Sequence, residues 1–390
     1  METVFKYREG EKMYFDHAAT TPLHPSVLAT MTEMMQTTFG NPSSVHQYGR
    51  QAHEKLENAR QVIAASLQAA PHEIIFNGGG SEGDNTALLM TALARKEQGK
   101  HIITTNVEHH AILHTAQFLA TQGFDVTYLP VDETGMVSVE AVRQALREDT
   151  ILVSIMFANN ETGNLFPIQA IGELLKDHPA YFHTDAVQAY GKVPIVPSEF
   201  GIDLLSVSAH KFNGPKGVGF LYKREGIHLP SFIHGGEQEE KRRAGTEDVV
   251  GIFGMAQAIS ILDEATQQAH SAHYQALGER FLHALEESQQ SYQINGNLAF
   301  KLPHVLNVAF PGIDNQLLLM HLDLAGMAIS TGSACTAGNV EPSHVLTAMY
   351  GEASPFITSS IRLSFGLGNT MDEVDQLAQK VIQTLNRLRK

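Results

Sequence analysis

Through its first two thirds this sequence alternates short β-rich runs with helical patterns, and that alternation commits a chain to a parallel sheet with helices packed on its faces. The runs fall at 73–76, 101–105, 125–129, 150–157, 180–184 and 203–208, with a further strand at 217–222. One intervening helix is explicit: Val45, Tyr48, Ala52, Leu56, Ala59, Ile63 and Leu67 recur at steps of 3, 4, 4, 3, 4 and 4, behind Ser43 and Ser44 as caps. From Asp248 to Glu287 the pattern is helical without proline, which reads as one long connecting helix with its weak point at Gly278. Strands at 304–310, 327–330 and 360–365 follow, and Thr370-Met371-Asp372-Glu373 opens the last helix as a capping box. These divisions predict an α/β chain with a large domain over 15–255 and a smaller α/β domain from 1–14 and 256–390.

A chain of 390 residues buries enough surface to be stable without cross-links. It has one cysteine, Cys335, which cannot pair within the chain. The N-terminus lacks the apolar stretch of a signal peptide and no run approaches the ~18 apolar residues of a membrane span, so a cytoplasmic location is expected. With 27 Lys+Arg against 42 Asp+Glu the net charge is −15, and no basic tract interrupts it. Such a field repels a phosphate backbone, so neither nucleic-acid nor direct membrane binding is expected. Any phosphate must be small and locally cradled.

Between the strand ending at Phe76 and a helix through Ala87 and Leu88 lies Asn77-Gly78-Gly79-Gly80-Ser81-Glu82-Gly83. Gly78, Gly80 and Gly83 satisfy G-x-G-x-x-G in the strand-then-helix context of a dinucleotide fingerprint. The acidic residue that should close the next strand is missing, because 101–105 ends in threonines. What survives is simpler: open backbone N–H groups at a helix N-terminus, with the Ser81 hydroxyl beside them, seat one phosphate. The plain alternative is a tight strand-to-helix turn.

Further on, the apolar strand 203–208 delivers Ser208, His210 and Lys211 at its C-terminal end. A lysine leaving a buried strand is poorly hydrated, which lowers its pKa and makes it an amine nucleophile; the plain alternative is a lysine reaching solvent from a loop. His183-Thr184-Asp185 ends another strand with an acid. In such a sheet both emerge at the carboxyl edge, where ligands bind. A phosphorylated pyridine aldehyde uses all three elements: the glycine loop for phosphate, Asp185 for the ring nitrogen and Lys211 for a Schiff base.

Here the chain resembles the group I cysteine desulfurases of the NifS/IscS type, fold-type I pyridoxal phosphate enzymes of the class V aminotransferase superfamily. The resemblance spans nearly the whole chain. It rests on Tyr14-Phe15-Asp16-His17-Ala18-Ala19-Thr20-Thr21, Phe39-Gly40-Asn41-Pro42-Ser43-Ser44, Val107-Glu108-His109-His110 and Ala158-Asn159-Asn160-Glu161-Thr162-Gly163. To these add the Asp185 and Lys211 segments, Arg243-Ala244-Gly245-Thr246-Glu247 and Ser333-Ala334-Cys335-Thr336. It implies a mostly parallel seven-stranded sheet and pyridoxal 5'-phosphate held covalently by Lys211. Asp185 is implied at the pyridine nitrogen, Gln188 at the ring hydroxyl and His109 stacked on the ring. Gly80, Ser81, Ser208 and His210 are implied at the phosphate, with Thr246 reaching it from the partner of a homodimer. Asn160, next to the cofactor, grips the substrate carboxylate with Arg362, and Asn41 joins the substrate-binding set. Gly78 and Ser81 stand where the family usually has serine and threonine; Ser81 keeps the hydroxyl and Gly78 loses one.

The implied reaction takes L-cysteine to L-alanine, with Lys211 moving the Cα proton, His109 shuttling protons and sulfur passing through a Cys335 persulfide to an acceptor protein. That acceptor serves iron–sulfur cluster assembly or thiolation of transfer RNA or cofactors. Unpaired cysteines are usually buried fillers, but residues 330–339 are polar, glycine-flanked and without a periodic apolar face, as in an exposed loop. The competing readings are a selenocysteine lyase or aminotransferase on the same fold, a nicotinamide enzyme, and a catalytically idle sulfur-delivery protein. His110 and His114 have the i, i+4 spacing of a zinc pair, but H-E-x-x-H is absent and no metal site is expected. His270 and His273 read as solvated.

Overall fold

The computed structural model describes residues 13–332, 335–336, 339–340 and 342–389, with the backbone alone at 335–336 and 339–340. In chain order the strands are β1 (Met13–Tyr14), β2 (Ile74–Asn77), β3 (His101–Thr105), β4 (Asp125–Leu129), β5 (Thr150–Ser154), β6 (Tyr181–Asp185) and β7 (Leu204–Ser208). They continue with β8 (Gly219–Lys223), β9 (Gln293–Asn295), β10 (Val305–Ala309), β11 (Met327–Ala328), β12 (Cys335–Thr336), β13 (Asn339–Val340) and β14 (Ser360–Ser364).

A seven-stranded sheet in the order β2-β8-β7-β6-β5-β3-β4 forms the centre. It is parallel except for β8, which runs against both β2 and β7. Strands β3, β5 and β7 are buried along their whole length, as parallel strands covered on both faces must be. Neighbouring residues therefore feed opposite cores: Ile103, Val153 and Leu205 pack with Ile63, Phe76 and Phe182. Ile102, Leu152 and Leu204 pack with Leu88 and Ile112 on the other face. Because β8 reverses twice, β2, β6 and β7 run the same way, and the segments that leave them emerge at one edge.

A smaller layer has β14-β10-β9 antiparallel and β1 parallel to β11. Its core gathers Phe15, Phe281, Leu306, Phe310, Phe365, Leu377 and Val381. The final helix Met371–Leu388 begins at Thr370, whose side chain accepts from Glu373 N while Glu373 accepts from Thr370 N, the capping box read from the sequence.

Two helical readings need correction. The 248–287 stretch is two helices, Val249–Ser260 and Glu264–Glu287, bent by 77°. Asp263 caps the second by accepting from Thr266 N, and the chain runs helical through Gly278. Ala256, Ala258 and Ile259 still pack under the large sheet, so the change of core falls at this bend. The early helix spans Gln47–Ser66 and is capped by His46, whose ring accepts from Gly49 N, rather than by Ser43 or Ser44. Its first two stripe positions miss the core: Val45 is 89% and Tyr48 53% exposed. Among the described residues no single helix is long and apolar enough to cross a membrane.

Candidate active site

At the common edge of β2, β6 and β7 lies a cavity of about 780 Å³ whose wall includes Gly80, Ser81, His109, Asn160, Asp185, Gln188, Ser208, His210, Lys211 and Arg362. Lys211 sits on a single 3₁₀ turn that follows β7. Its Nζ donates to Ala18 O at 2.6 Å and Ala19 O at 2.8 Å. Burial, then the Arg362 guanidinium, push this amine down to about 8. About a tenth of the amine is thus neutral at pH 7, where an ordinary lysine has almost none, which favours it as a nucleophile or base.

Asp185 ends β6 and its Oδ1 accepts from Val187 N at 2.9 Å. Burial raises its carboxyl. Behind it Asp84 is held well above the carboxylate range by burial and by Asp185 itself, so Asp84 keeps its proton. A third buried acid, Glu108, is pushed up to about 8 by burial. It accepts from Met156 N at 3.0 Å and from Thr105 Oγ1 at 2.8 Å. Asp84 and Asp185 both line the cavity and Glu108 does not, and of the two Asp185 is the one whose ionised form the Lys211 charge favours. His183 is fully buried and pulled down to about 3 by that burial, with Ser154 at 2.8 Å on Nδ1 and Ser206 at 3.0 Å on Nε2.

The glycine loop turns at Gly79, φ 129°, a conformation that favours glycine. Gly80 opens the helix Gly80–Arg95, and a Cβ there would lie 2.7 Å from Val187 Cγ2. The first-turn amides have no helical acceptor and border the cavity. Glu82 in that turn is bridged by Arg243 at 2.9 Å, which offsets its charge where an anion would sit. His109 caps the helix His110–Thr121: its Nδ1 accepts from Ala111 N, which leaves the proton on Nε2. Burial and Lys211 hold it neutral, down to about 4. Burial and Lys211 also pull His210 down to about 4, and its Nδ1 lies 3.1 Å from Thr20 Oγ1. Gln188 donates to Ala18 O at 2.9 Å, and its Oε1 is buried without a partner.

Two expected residues lie outside this cavity. Asn41 is exposed in a turn where its Oδ1 accepts from Ser43 N. Thr246 borders a separate hollow of about 170 Å³ that shares Gly78 and Gly217 with the first. The segment before it holds Glu239, Glu240 and Lys241 at φ 49°, 56° and 67°. Buried Glu239 secures it through Arg60 Nη1 at 2.8 Å, Arg60 Nη2 at 2.7 Å and Phe76 N at 3.0 Å. The thiol of Cys335 lies outside the described residues; its backbone pairs with Val340. Among the described residues no group of three His, Cys, Asp or Glu is arranged to hold a metal. His110 and His114 stack with ring centroids 5.0 Å apart, and His344 joins them at 4.7 Å from His110. Of the two histidines read as solvated, His273 is exposed and bonds Asn369 O at 3.0 Å, while His270 is half-buried and lines a small hollow with Tyr274 and His304.

The strap 13–21 contains one of the motifs named above, but its residue types did not reveal what it does. Ala18 O and Ala19 O hold Lys211, Thr21 grips His210 O through both N and Oγ1, and Asp16 pairs with Arg362 at 2.8 Å. Main-chain carbonyls leave no residue-type signal, although Asp16 stands inside a recognised motif. Asp84, Glu108 and half-buried Lys192 also went without roles.

These residues fit pyridoxal 5'-phosphate. Gly80 keeps a backbone cradle open, Gln188 Oε1 and Arg362 Nε are buried without partners, and a buried amine faces a buried acid across one cavity. A model of the family described as aminotransferase class-V matches residues 13–377. The "Putative cysteine desulfurase IscS 1" of Bacillus subtilis (strain 168) is 53% identical over 378 residues, 97% of this chain and 100% of that protein. A solved structure titled "NIFS-LIKE PROTEIN" superposes with a TM-score of 0.90 at 36% identity, covering 96% of this chain and 100% of that one. Another, "SspA in complex with cysteine", gives 0.79 at 35% identity, covering 90% and 98%. By sequence along nearly its whole length, and by a site that suits the cofactor, the chain belongs to the aminotransferase class-V family of pyridoxal phosphate enzymes, on the branch of its NifS-like and IscS relatives.

Proposed function

We propose that this enzyme is a cysteine desulfurase, a cytoplasmic homodimer that converts L-cysteine to L-alanine and passes the sulfur through a Cys335 persulfide to an acceptor protein of iron–sulfur assembly or thiolation. One observation carries the reading. Ile329, Ser330, Thr331 and Gly332 line the cavity, and Cys335 follows three residues later, within a chain reach of about 11 Å. The only thiol of the chain is therefore tethered to the wall of the pocket that holds Lys211.

Arg362 binds the substrate carboxylate through its fork, with Asn160 beside it. Pyridoxal 5'-phosphate, when bound, supplies the electron sink for the pair released at Cα. Ser208, Ser81 and the amides of the glycine loop hold its phosphate, and Asp185 holds a proton at its ring nitrogen. The Lys211 amine takes the Cα proton, and the Nε2–H of neutral His109 is free to give the substrate sulfur a hydrogen bond. The Cys335 thiolate then bonds to the substrate sulfur as the carbon–sulfur bond breaks. The electron pair stays with the three-carbon fragment, which is protonated to L-alanine, and the enzyme keeps the persulfide.

Near exposed Asn41 in sequence, Phe39 and Tyr48 are 73% and 53% exposed with ring centroids 5.0 Å apart, apolar surface of the kind subunits cover. Asn41 and Thr246 would act in the partner's pocket. The test follows alanine and sulfide from L-cysteine with a thiol reductant. Wild type should release both in equal amounts, and Cys335→Ser should bind L-cysteine yet release no sulfide. Sulfide at the wild-type rate from the variant would remove the persulfide step.

A further inference from the structure

Arg362 is 4% exposed and its guanidinium is incompletely used. Nη1 donates to Asn160 O at 2.9 Å, Nη2 donates to Asp16 Oδ1 at 2.8 Å, and Nε has no partner. Nε and Nη2 form one edge of the guanidinium, the edge that receives a carboxylate side-on through two parallel hydrogen bonds. Asp16 therefore fills half of a two-point carboxylate seat with a single oxygen. Its carboxylate has Arg362 as its one hydrogen-bond partner among the described residues, and it borders the cavity.

The backbone of Asp16 is fixed while its side chain is not. Phe15 is buried in the smaller core, Asp16 bridges to Ser364, and Asp16 O accepts from the Tyr14 hydroxyl at 2.9 Å. The side chain keeps 20% of its surface exposed against 5% for Arg362. A pinned main chain with a side chain on one ion pair at the edge of a wide cavity has room to rotate away. A buried guanidinium without a counter-ion is costly, so something must neutralise it before a ligand arrives.

We propose that Asp16 is a displaceable counter-ion for Arg362: an incoming amino-acid carboxylate takes the Nε–Nη2 edge, and the released Asp16 stays beside the ligand and rejects a second negative charge. This rests on the carboxylate-binding reading of Arg362. Asp16 is then a positioning residue in the empty site and a charge filter in the filled one. It favours ligands whose single carboxylate is their only anionic group.

Calorimetric titration of the holoenzyme with L-alanine and with L-aspartate tests this. Asp16→Asn should bind L-alanine more tightly, because no ion pair has to open. It should gain more for L-aspartate, so that the alanine-over-aspartate preference falls about fivefold, the factor carried by one charge contact in a partly screened site. Asp16→Glu should keep the wild-type preference. An unchanged preference in Asp16→Asn, or weaker L-alanine binding, would overturn the counter-ion role and leave Asp16 a fixed brace. Arg362→Lys separates the two layers. If it binds L-alanine as wild type does, the carboxylate reading of Arg362 fails and the proposal with it. If it loses that binding while the Asp16→Asn preference stays put, the counter-ion proposal alone falls.

Discussion

Lys192 Nζ donates to the main-chain carbonyl of Lys211 across 2.9 Å, so that one half-buried amine braces the turn that presents another. Burial, then Lys211, push Lys192 down to about 7 from the ordinary 10.5. The folded chain releases this proton near pH 7 and the unfolded chain keeps it until about 10.5. Between those values the unfolded state binds more protons, so stability rises with pH.

Lys192→Met should flatten that rise. Urea unfolding of wild type and variant at pH 6.5, 8 and 9.5 checks it, with the wild type gaining on the variant at each step. Parallel curves would deny Lys192 its depressed pKa.

Glu108→Gln should act with the opposite sign. The folded pKa of Glu108 is about 8 against 4.5 unfolded, so between these values the folded state binds the extra proton and stability falls as pH rises. Glutamine keeps an acceptor for Met156 N and does not titrate. The variant should therefore gain on wild type from pH 5 to pH 8, by at most about 1.4 kcal/mol for each pH unit. Thermal melts across that range read the trend, and a constant offset would contradict it.

Arg60→Met should destabilise by roughly 3–5 kcal/mol, because it strands the Glu239 carboxylate in the interior. Arg60 also covers the Phe76 ring at 4.5 Å, so packing is lost along with charge. The double variant with Glu239→Gln should recover part of the loss in urea melts. Pyridoxal phosphate titration should show weaker binding in the single variant, because Gly78 and Gly217 also border the Thr246 hollow.

Lys211→Ala should leave the cofactor bound without a covalent link. Borohydride reduction and digestion should recover a pyridoxyl peptide containing Lys211 from wild type and none from the variant. A labelled peptide from the variant would move the attachment elsewhere, with Lys192 the first residue to test.

The parallel sheet was legible because buried strands write themselves as unbroken apolar runs, as at Ile102–Ile103 and Leu204–Leu205. Asp185 and Lys211 were legible because charges rarely end such strands without a purpose. The bend at Asp263 was not, since Leu262-Asp263-Glu264 continues a helical composition and only the burial of Ile259 and Phe281 in different cores separates the halves. Val45 and Tyr48 matched a helical stripe by spacing alone, and spacing cannot tell a core from an exposed apolar face. The strap hid for a different reason. Its working atoms at Ala18 and Ala19 are peptide oxygens that every residue type supplies.

That anonymity has a mechanical side. The strap is a short tether, knotted at Phe15 into the smaller core and at Thr21 onto the turn that carries Lys211. Slack is absent, because the tether also touches the amine through two consecutive carbonyls. One short run of backbone thus ties the position of the smaller layer directly to the amine that faces the cavity.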